Sequence, residues 1–344
     1  MNRSLFYAAG LLMLASCAQT SKSHYTVTYT ADGEESNGQM AYLIDFDTEE
    51  PIDSVQIADG VAVFSGDIDS ARVVNMKVGD RGVAQFFLEG DSINVVGRDV
   101  TGGELNTKNK AFMEMRNALM TEFREVPDSL KAARYEEFAN KLDSAESALM
   151  NENMGNALGY YYFVYGASRR MNLQQLDSAL AVNPGLAGYN RVQKYRQTLV
   201  NKEETSEGKM FKDFEVTYND STFRLSDYVG KGKYVLVDFW ASWCGPCIRQ
   251  TAVIKDLYKE YGPKGLEVIG VAVWDKPEDT LKGIESHQLP WKNVINAQTI
   301  PTDLYGIQGI PCIILFGPDG KILSRDKQSD DLRNDVANAM KDAK

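Results

Sequence analysis

Cys244 and Cys247, three positions apart in Trp240-Ala241-Ser242-Trp243-Cys244-Gly245-Pro246-Cys247, are the residues of this chain whose types and spacing could do chemistry. The apolar run just before them, Tyr234-Val235-Leu236-Val237-Asp238-Phe239, reads as a buried strand. The pair should therefore fall where strand gives way to helix. At a helix start the first N–H groups lack intrahelical acceptors and the dipole presents its positive end. Both favour thiolate over thiol, so the Cys244 pKa is expected to drop from about 8.5 into the range of roughly 3.5 to 7.5. Cys247, one turn further on the same face, brings the two Cα atoms within the roughly 4.4–6.8 Å that a disulfide needs. Pro246 suits the first helical turn, where its missing N–H has no partner to lose and its ring presets φ. The chemistry indicated is thiol-disulfide exchange, with Cys244 attacking and Cys247 resolving.

Other uses of a close cysteine pair need residues that are not here. A c-type haem site needs histidine after the second cysteine, and Ile248 stands there. A zinc site needs two further ligands, yet the chain has only His24 and His287 as histidines and no second close cysteine pair. Neither a structural metal nor a cofactor is expected. With Cys17 set aside for the reason below, Cys244, Cys247 and Cys312 remain, too few for a disulfide scaffold.

The elements that must position the pair belong to a chain of 344 residues, long enough for two or three domains. Its 37 basic and 48 acidic side chains give a formal charge of −11, which repels phosphate backbones and argues against a nucleic-acid partner. Residues 1–17 read as an export signal: Asn2-Arg3 is a basic start, residues 5–15 are apolar, and Leu14-Ala15-Ser16 precedes Cys17. This resembles a bacterial lipobox. The resemblance implies a lipidated Cys17 as mature N-terminus, membrane anchoring through its acyl chains, and a place in the cell envelope facing the periplasm. The apolar run is shorter than the roughly 20 residues that span a bilayer.

From residue 24 to 106 short β-prone runs alternate with turn residues, and candidate strands lie at 25–29, 41–45, 61–64, 72–78, 84–88 and 92–96. That spacing suggests a small all-β sandwich or barrel. Residues 107–201 change to a helical period, with Phe112, Met115, Leu119 and Phe123 on one face and Phe138, Leu142, Ala145 and Leu149 on another. The cluster from Tyr160 to Tyr165 could line a groove, but core packing is the plainer reading. Residues 202–209 are charged and aperiodic and are expected to form a linker. Residues 210–344 alternate strand runs (234–240, 266–274, 312–316) with helical ones (248–261, 277–287, 330–343), which implies an α/β domain with a central mixed sheet flanked by helices.

Residues 235–247, followed some 60 positions on by Gly309-Ile310-Pro311, resemble the thioredoxin family, and a strand-helix insertion at 277–296 is similar to its membrane-associated TlpA and ResA branch. The match covers roughly the last 135 residues. Phe87-Leu88-Glu89-Gly90-Asp91 and Gly102-Gly103-Glu104-Leu105-Asn106 are similar to a β-rich domain of unknown function that precedes such modules in bacterial lipoproteins. The thioredoxin resemblance implies that Asp238, out of character in an apolar strand, is a buried base that takes the proton of Cys247. A structural alternative is a strand-end acid bonded to backbone or Lys233. The resemblance further implies a cis Pro311, and backbone groups of Ile310 that hold an extended client beside the sulfur. It extends client contact to Trp243, Gly245 and Pro246. Cys312 departs from the family, which commonly has threonine there; a disulfide-shuffling third thiol and an inert buried cysteine are its two readings.

The expected protein is a lipid-anchored thiol-disulfide oxidoreductase outside the cytoplasm. It would reduce disulfides of client proteins, apocytochrome c cysteines among them, and be recharged by a thiol-type electron donor in the membrane. A thiol peroxidase of the peroxiredoxin kind is the enzymatic alternative, though that chemistry uses one acidic cysteine where this chain has a pair. A lipoprotein that only binds partners is the non-enzymatic alternative.

Overall fold

Alternation of apolar and polar residues near the start builds β1 (Ser23–Thr30), whose Tyr25, Val27 and Tyr29 are buried. The structure, a computed structural model, describes residues 22–31 and 36–342. Cys17 and the export-signal reading lie outside the described residues. The chain divides into two compact units, Met1–Arg170 and Met171–Lys344.

In the first unit β2 (Met40–Asp45), β3 (Pro51–Gln56), β4 (Val61–Ile68), β5 (Arg72–Val78), β6 (Arg81–Leu88), β7 (Ser92–Val96) and β8 (Asp99–Thr101) follow β1. They form two four-stranded sheets, in the orders β4-β1-β7-β8 and β3-β2-β5-β6. β1 runs antiparallel to β4 and parallel to β7. Val27, Phe64 and Ile93 of one sheet and Leu43, Met76 and Phe86 of the other share one core. β3 and β8 were not legible in the sequence. Both are edge strands with little or nothing buried, and β3 opens on a proline, which only an edge tolerates well.

Helices α1 (Glu104–Glu125), α2 (Asp128–Glu152) and α3 (Ala157–Tyr162) complete this unit. The Glu89 and Gly102-to-Asn106 motifs join sheet to helix. Glu89 Oε1 accepts from the N–H groups of Leu105 and Asn106 at the start of α1. The Asn106 amide pairs with both the N–H and C=O of Phe87. Gly102 and Gly103 have φ of 93° and 80°, and a Cβ on Gly102 would stand 2.1 Å from the Ser92 carbonyl oxygen, so only glycine fits that approach. Phe123 and Phe138 stack at 4.4 Å where α1 and α2 meet. Tyr160, Tyr162 and Phe163 are buried, and Tyr160 packs on Phe46 and donates to Asp47.

The second unit opens with α4 (Leu173–Val182) and α5 (Asn190–Glu204), then the hairpin β9 (Glu215–Tyr218) and β10 (Ser221–Arg224). It continues through β11 (Tyr234–Trp240), α6 (Gly245–Tyr261), β12 (Leu266–Ala272), α7 (Pro277–Ser286), β13 (Lys292–Val294), α8 (Ile300–Tyr305), β14 (Cys312–Phe316), β15 (Ile322–Arg325) and α9 (Ser329–Ala339). The sheet order is β13-β12-β11-β14-β15, with β11, β12 and β13 parallel and β14 and β15 antiparallel to their neighbours. This is a thioredoxin-like mixed sheet. Leu236 and Trp240 pack with Ile254 of α6 and Val336 of α9 on one face. Val235, Val237 and Phe239 pack with Phe214, Phe223 and Tyr305 on the other.

Residues 202–209, read from sequence as a linker, contain the end of α5 and a turn tied into the second unit, and α4 and α5 fall within that unit. Thr205 is fully buried, accepting from the Arg325 guanidinium at 2.6 Å and donating to Asn201 O. Gly208 N–H donates to Ile322 O at 2.7 Å. The polarity that suggested a linker satisfies backbone and side-chain partners within the fold.

Candidate active site

β11 is the central strand of its sheet, and at its end the chain turns through Ala241 to Trp243 before α6 begins at Gly245. Cys244 is the N-cap of α6, with extended backbone at φ −84° and ψ 93°. Its sulfur accepts a hydrogen bond from the Cys247 N–H at 3.1 Å, one of the donors that a helix start leaves without a partner. Pro246 occupies the first turn. The Cα atoms of Cys244 and Cys247 are 5.2 Å apart and their sulfurs are bonded. Both residues are buried, at 3% and 1% exposure, so attack on this disulfide is confined to a narrow approach.

Trp243 precedes Cys244, and the loop before β14 packs against its sulfur. Trp243 is 62% exposed, and its indole N–H donates to the Trp274 carbonyl. The Ile310–Pro311 peptide bond is cis, and the Ile310 carbonyl oxygen is 3.8 Å from Cys244 Sγ. Cys244, Ile310 and Pro311 thus meet across 66 residues of sequence.

Asp238 lies two residues before Trp240 on β11, so its side chain points to the α6 face with Leu236 and Trp240. It is 3% exposed, its Oδ1 has no hydrogen-bond partner among the described residues, and burial pushes its pKa up to about 7. Lys233 bonds instead to Glu267. Cys312 is a buried free thiol on β14, with its sulfur 3.1 Å from Asp326 Oδ1. Burial, aided by the Asp326 charge, pushes that thiol well up, which disfavours the reactive thiolate.

Asp275 is the supporting residue that sequence reasoning missed. Buried at 6% exposure, it accepts from the Ser242 N–H and hydroxyl, the Lys276 N–H and the Thr280 hydroxyl. It fastens the turn before Cys244 to the start of α7. An Asp followed by Lys276-Pro277 at a helix start was the available signal.

Residues 208–325 match the model of the AhpC/TSA family, and residues 25–109 match that of a domain of unknown function, DUF4369. A thiol-disulfide oxidoreductase ResA of Geobacillus thermodenitrificans is 34% identical over 99 residues, which cover 29% of this chain and 56% of that protein. The chain thus spans little more than half of that relative's length. A ResA of Bacillus cereus is 30% identical over 151 residues, covering 43% of this chain and 83% of the relative. The solved thioredoxin domain of a thiol-disulfide oxidoreductase from Bacteroides vulgatus is 33% identical, covering 39% of this chain and 96% of that one at a TM-score of 0.36.

Proposed function

Because this chain belongs to the family of ResA thiol-disulfide oxidoreductases, we propose that it exchanges disulfides with client proteins through Cys244 and Cys247. The single observation that carries this reading is the placement of Cys244 Sγ at the start of α6, 3.1 Å from the Cys247 N–H. In the reduced protein that N–H and the positive end of the helix stabilise a sulfur anion.

The Cys244 thiolate attacks one sulfur of a client disulfide, forming a mixed disulfide and releasing the other client sulfur, which takes a proton from water. Ile310 and the cis Pro311 bond hold the client as an extended strand, while Trp243, Gly245 and Pro246 form the rest of the contact. Asp238 then takes the proton of Cys247. The freed Cys247 sulfur attacks Cys244 Sγ, the Cys244–Cys247 bond forms as the Cys244–client bond breaks, and the second client sulfur leaves as a thiolate that takes a proton from water. Two electrons pass to the client, and the protein ends in the disulfide form.

The reading extends to direction and place. Gly245-Pro246 between the cysteines supports reduction of clients, apocytochrome c cysteines among them, with recharging by a thiol-type donor in the membrane. The lipobox-like residues before Cys17 support a lipid anchor and a periplasm-facing site. The thioredoxin-like part, residues 210–344, carries the activity, residues 24–106 serve as a β domain ahead of it, and of the helical residues 107–201 those from 171 on fold with the thioredoxin-like part.

Cys244→Ser is expected to lower the reduction of insulin disulfides by roughly a thousandfold or more, and Cys247→Ser to accumulate covalent client adducts. Full activity in either variant, or consumption of peroxide in preference to disulfide, would overturn the proposal.

A further inference from the structure

Four of the buried side-chain polar atoms without a hydrogen-bond partner among the described residues lie on the α6 face of the sheet: Asp238 Oδ1, Trp240 Nε1, Trp291 Nε1 and Asn293 Oδ1. Strand register explains their meeting. Asp238 of β11 pairs with Gly270 of β12, and Gly270 pairs with Asn293 of β13, so the three form a row straight across the sheet with no side chain on its middle member. Where a Cβ on Gly270 would stand, Asn293 Oδ1 is 2.3 Å away, Trp240 Nε1 3.1 Å and Trp291 Nε1 3.2 Å. Asp238, Trp240 and Trp291 are 3%, 2% and 7% exposed, so bulk solvent does not serve these atoms. Asp238 and Asn293 are two strand spacings apart, about 9.5 Å between Cα atoms, too far for two short side chains to bond directly.

We propose that Trp240, Trp291 and Asn293 bind one buried water over Gly270 and that this water donates a hydrogen bond to Asp238. The inference rests on the reading of Asp238 as the base in the resolving step. Two of the four atoms are obligate donors and two are acceptors, the complement of a single water. The indole N–H groups fill its two lone pairs. Its two hydrogens therefore point at Asn293 Oδ1 and Asp238 Oδ1. The Asn293 amide cannot turn over to compete, because its Nδ2 donates to the Trp291 carbonyl at 2.9 Å. A water fixed in this sense favours the ionised carboxylate, the form that can accept the Cys247 proton.

Charge plays little part in setting this site. The titratable groups on the face of Asp238 are Cys244, Cys247 and, against Trp291, Tyr258 of α6, while β12 and β13 contribute the uncharged Gly270 and Asn293 and Cys312 of β14 lies on the opposite face of the sheet. α9 brings Leu332 and Val336 to the same face. Trp240, Trp291 and Asn293 are positioning residues, acting on the reaction through the water and Asp238.

The test uses the full reduced chain. Gly270→Ala puts a methyl group against Asn293 Oδ1 and so crowds the amide and the water it holds, and Trp291→Phe removes one donor while keeping a ring in place. The Asp238 carboxyl midpoint, followed by carbon NMR, is expected to rise in both variants. The pH profile of mixed-disulfide resolution should move to higher pH with it, slowing resolution at pH 7 by about tenfold. Alkylation of Cys244 should stay unchanged. Should Gly270→Ala fail to fold, Trp291→Phe gives the same readout, and a high-resolution crystal structure of the parent reads the water directly. An indole N–H bonded straight to Asn293, or unmoved midpoints, would overturn the proposal. If Asp238→Asn itself left resolution unchanged, the base role would fall, and the water would still be judged by the crystal structure.

Discussion

At the scale of single residues, Asp238 joins sequence to stability as well as to chemistry. An acid whose folded pKa is raised holds more protons folded than unfolded between the two values. Its stabilising contribution is complete below about pH 4, and is lost as pH rises through the folded value of about 7. Asp238→Asn removes that loss. In the disulfide form the variant should be more stable than the parent at pH 8, by up to about 4 kcal/mol, and equal to it near pH 4. Melting curves at the two pH values check this, and an equal gap at both would mean that ionisation of Asp238 is not the cause. The acid could be singled out in the sequence because it interrupts an apolar strand. The atoms around Gly270 could not, since Trp240, Gly270, Trp291 and Asn293 are separated by up to 53 positions and meet only through strand register.

At the scale of elements, buried runs were legible and short polar ones were not. The strand read at 234–240 is β11, and the run at 312–316 is β14, because both faces of a central strand are covered and its residues are uniformly apolar. β13 has three residues with one buried, and α8 is a helix of six, so neither carries a readable period. The end of α5 depends on Arg325 of β15, whose guanidinium donates to the Thr205 carbonyl and hydroxyl and to the Tyr305 carbonyl. Arg325→Ala would leave those buried acceptors without donors. A loss of about 3 kcal/mol in the stability of the second unit is expected by denaturant unfolding. Lys212→Ala, which breaks the more exposed pair with Glu204, should cost less than about 1 kcal/mol. Equal losses would show that Arg325 does not hold α5 in place.

At the scale of the whole molecule, the two units carry separate cores, and the second begins before the thioredoxin-like sheet. A fragment of residues 171–344 includes α4 and α5, whose Leu176, Leu180, Val192 and Leu199 are buried. It should fold cooperatively and keep the parent's exchange rate within about twofold. A fragment of residues 210–344 loses Thr205 and the donors and acceptors of the α5 end, and should melt several degrees lower. Calorimetry of the two fragments decides, and identical melting would mean that α4 and α5 add nothing to that fold. The sequence alone determined the cysteine pair, the strand that leads to it, the β-rich start and the mixed α/β character of the end, because each is written in local spacing and apolar period. The family resemblance placed Ile310 beside the sulfur, and tertiary structure alone decided that Asp275 secures the turn before Cys244 and that the α5 end is part of a folded unit. Those are contacts between residues distant in sequence, set by strand order and register, which no local pattern encodes.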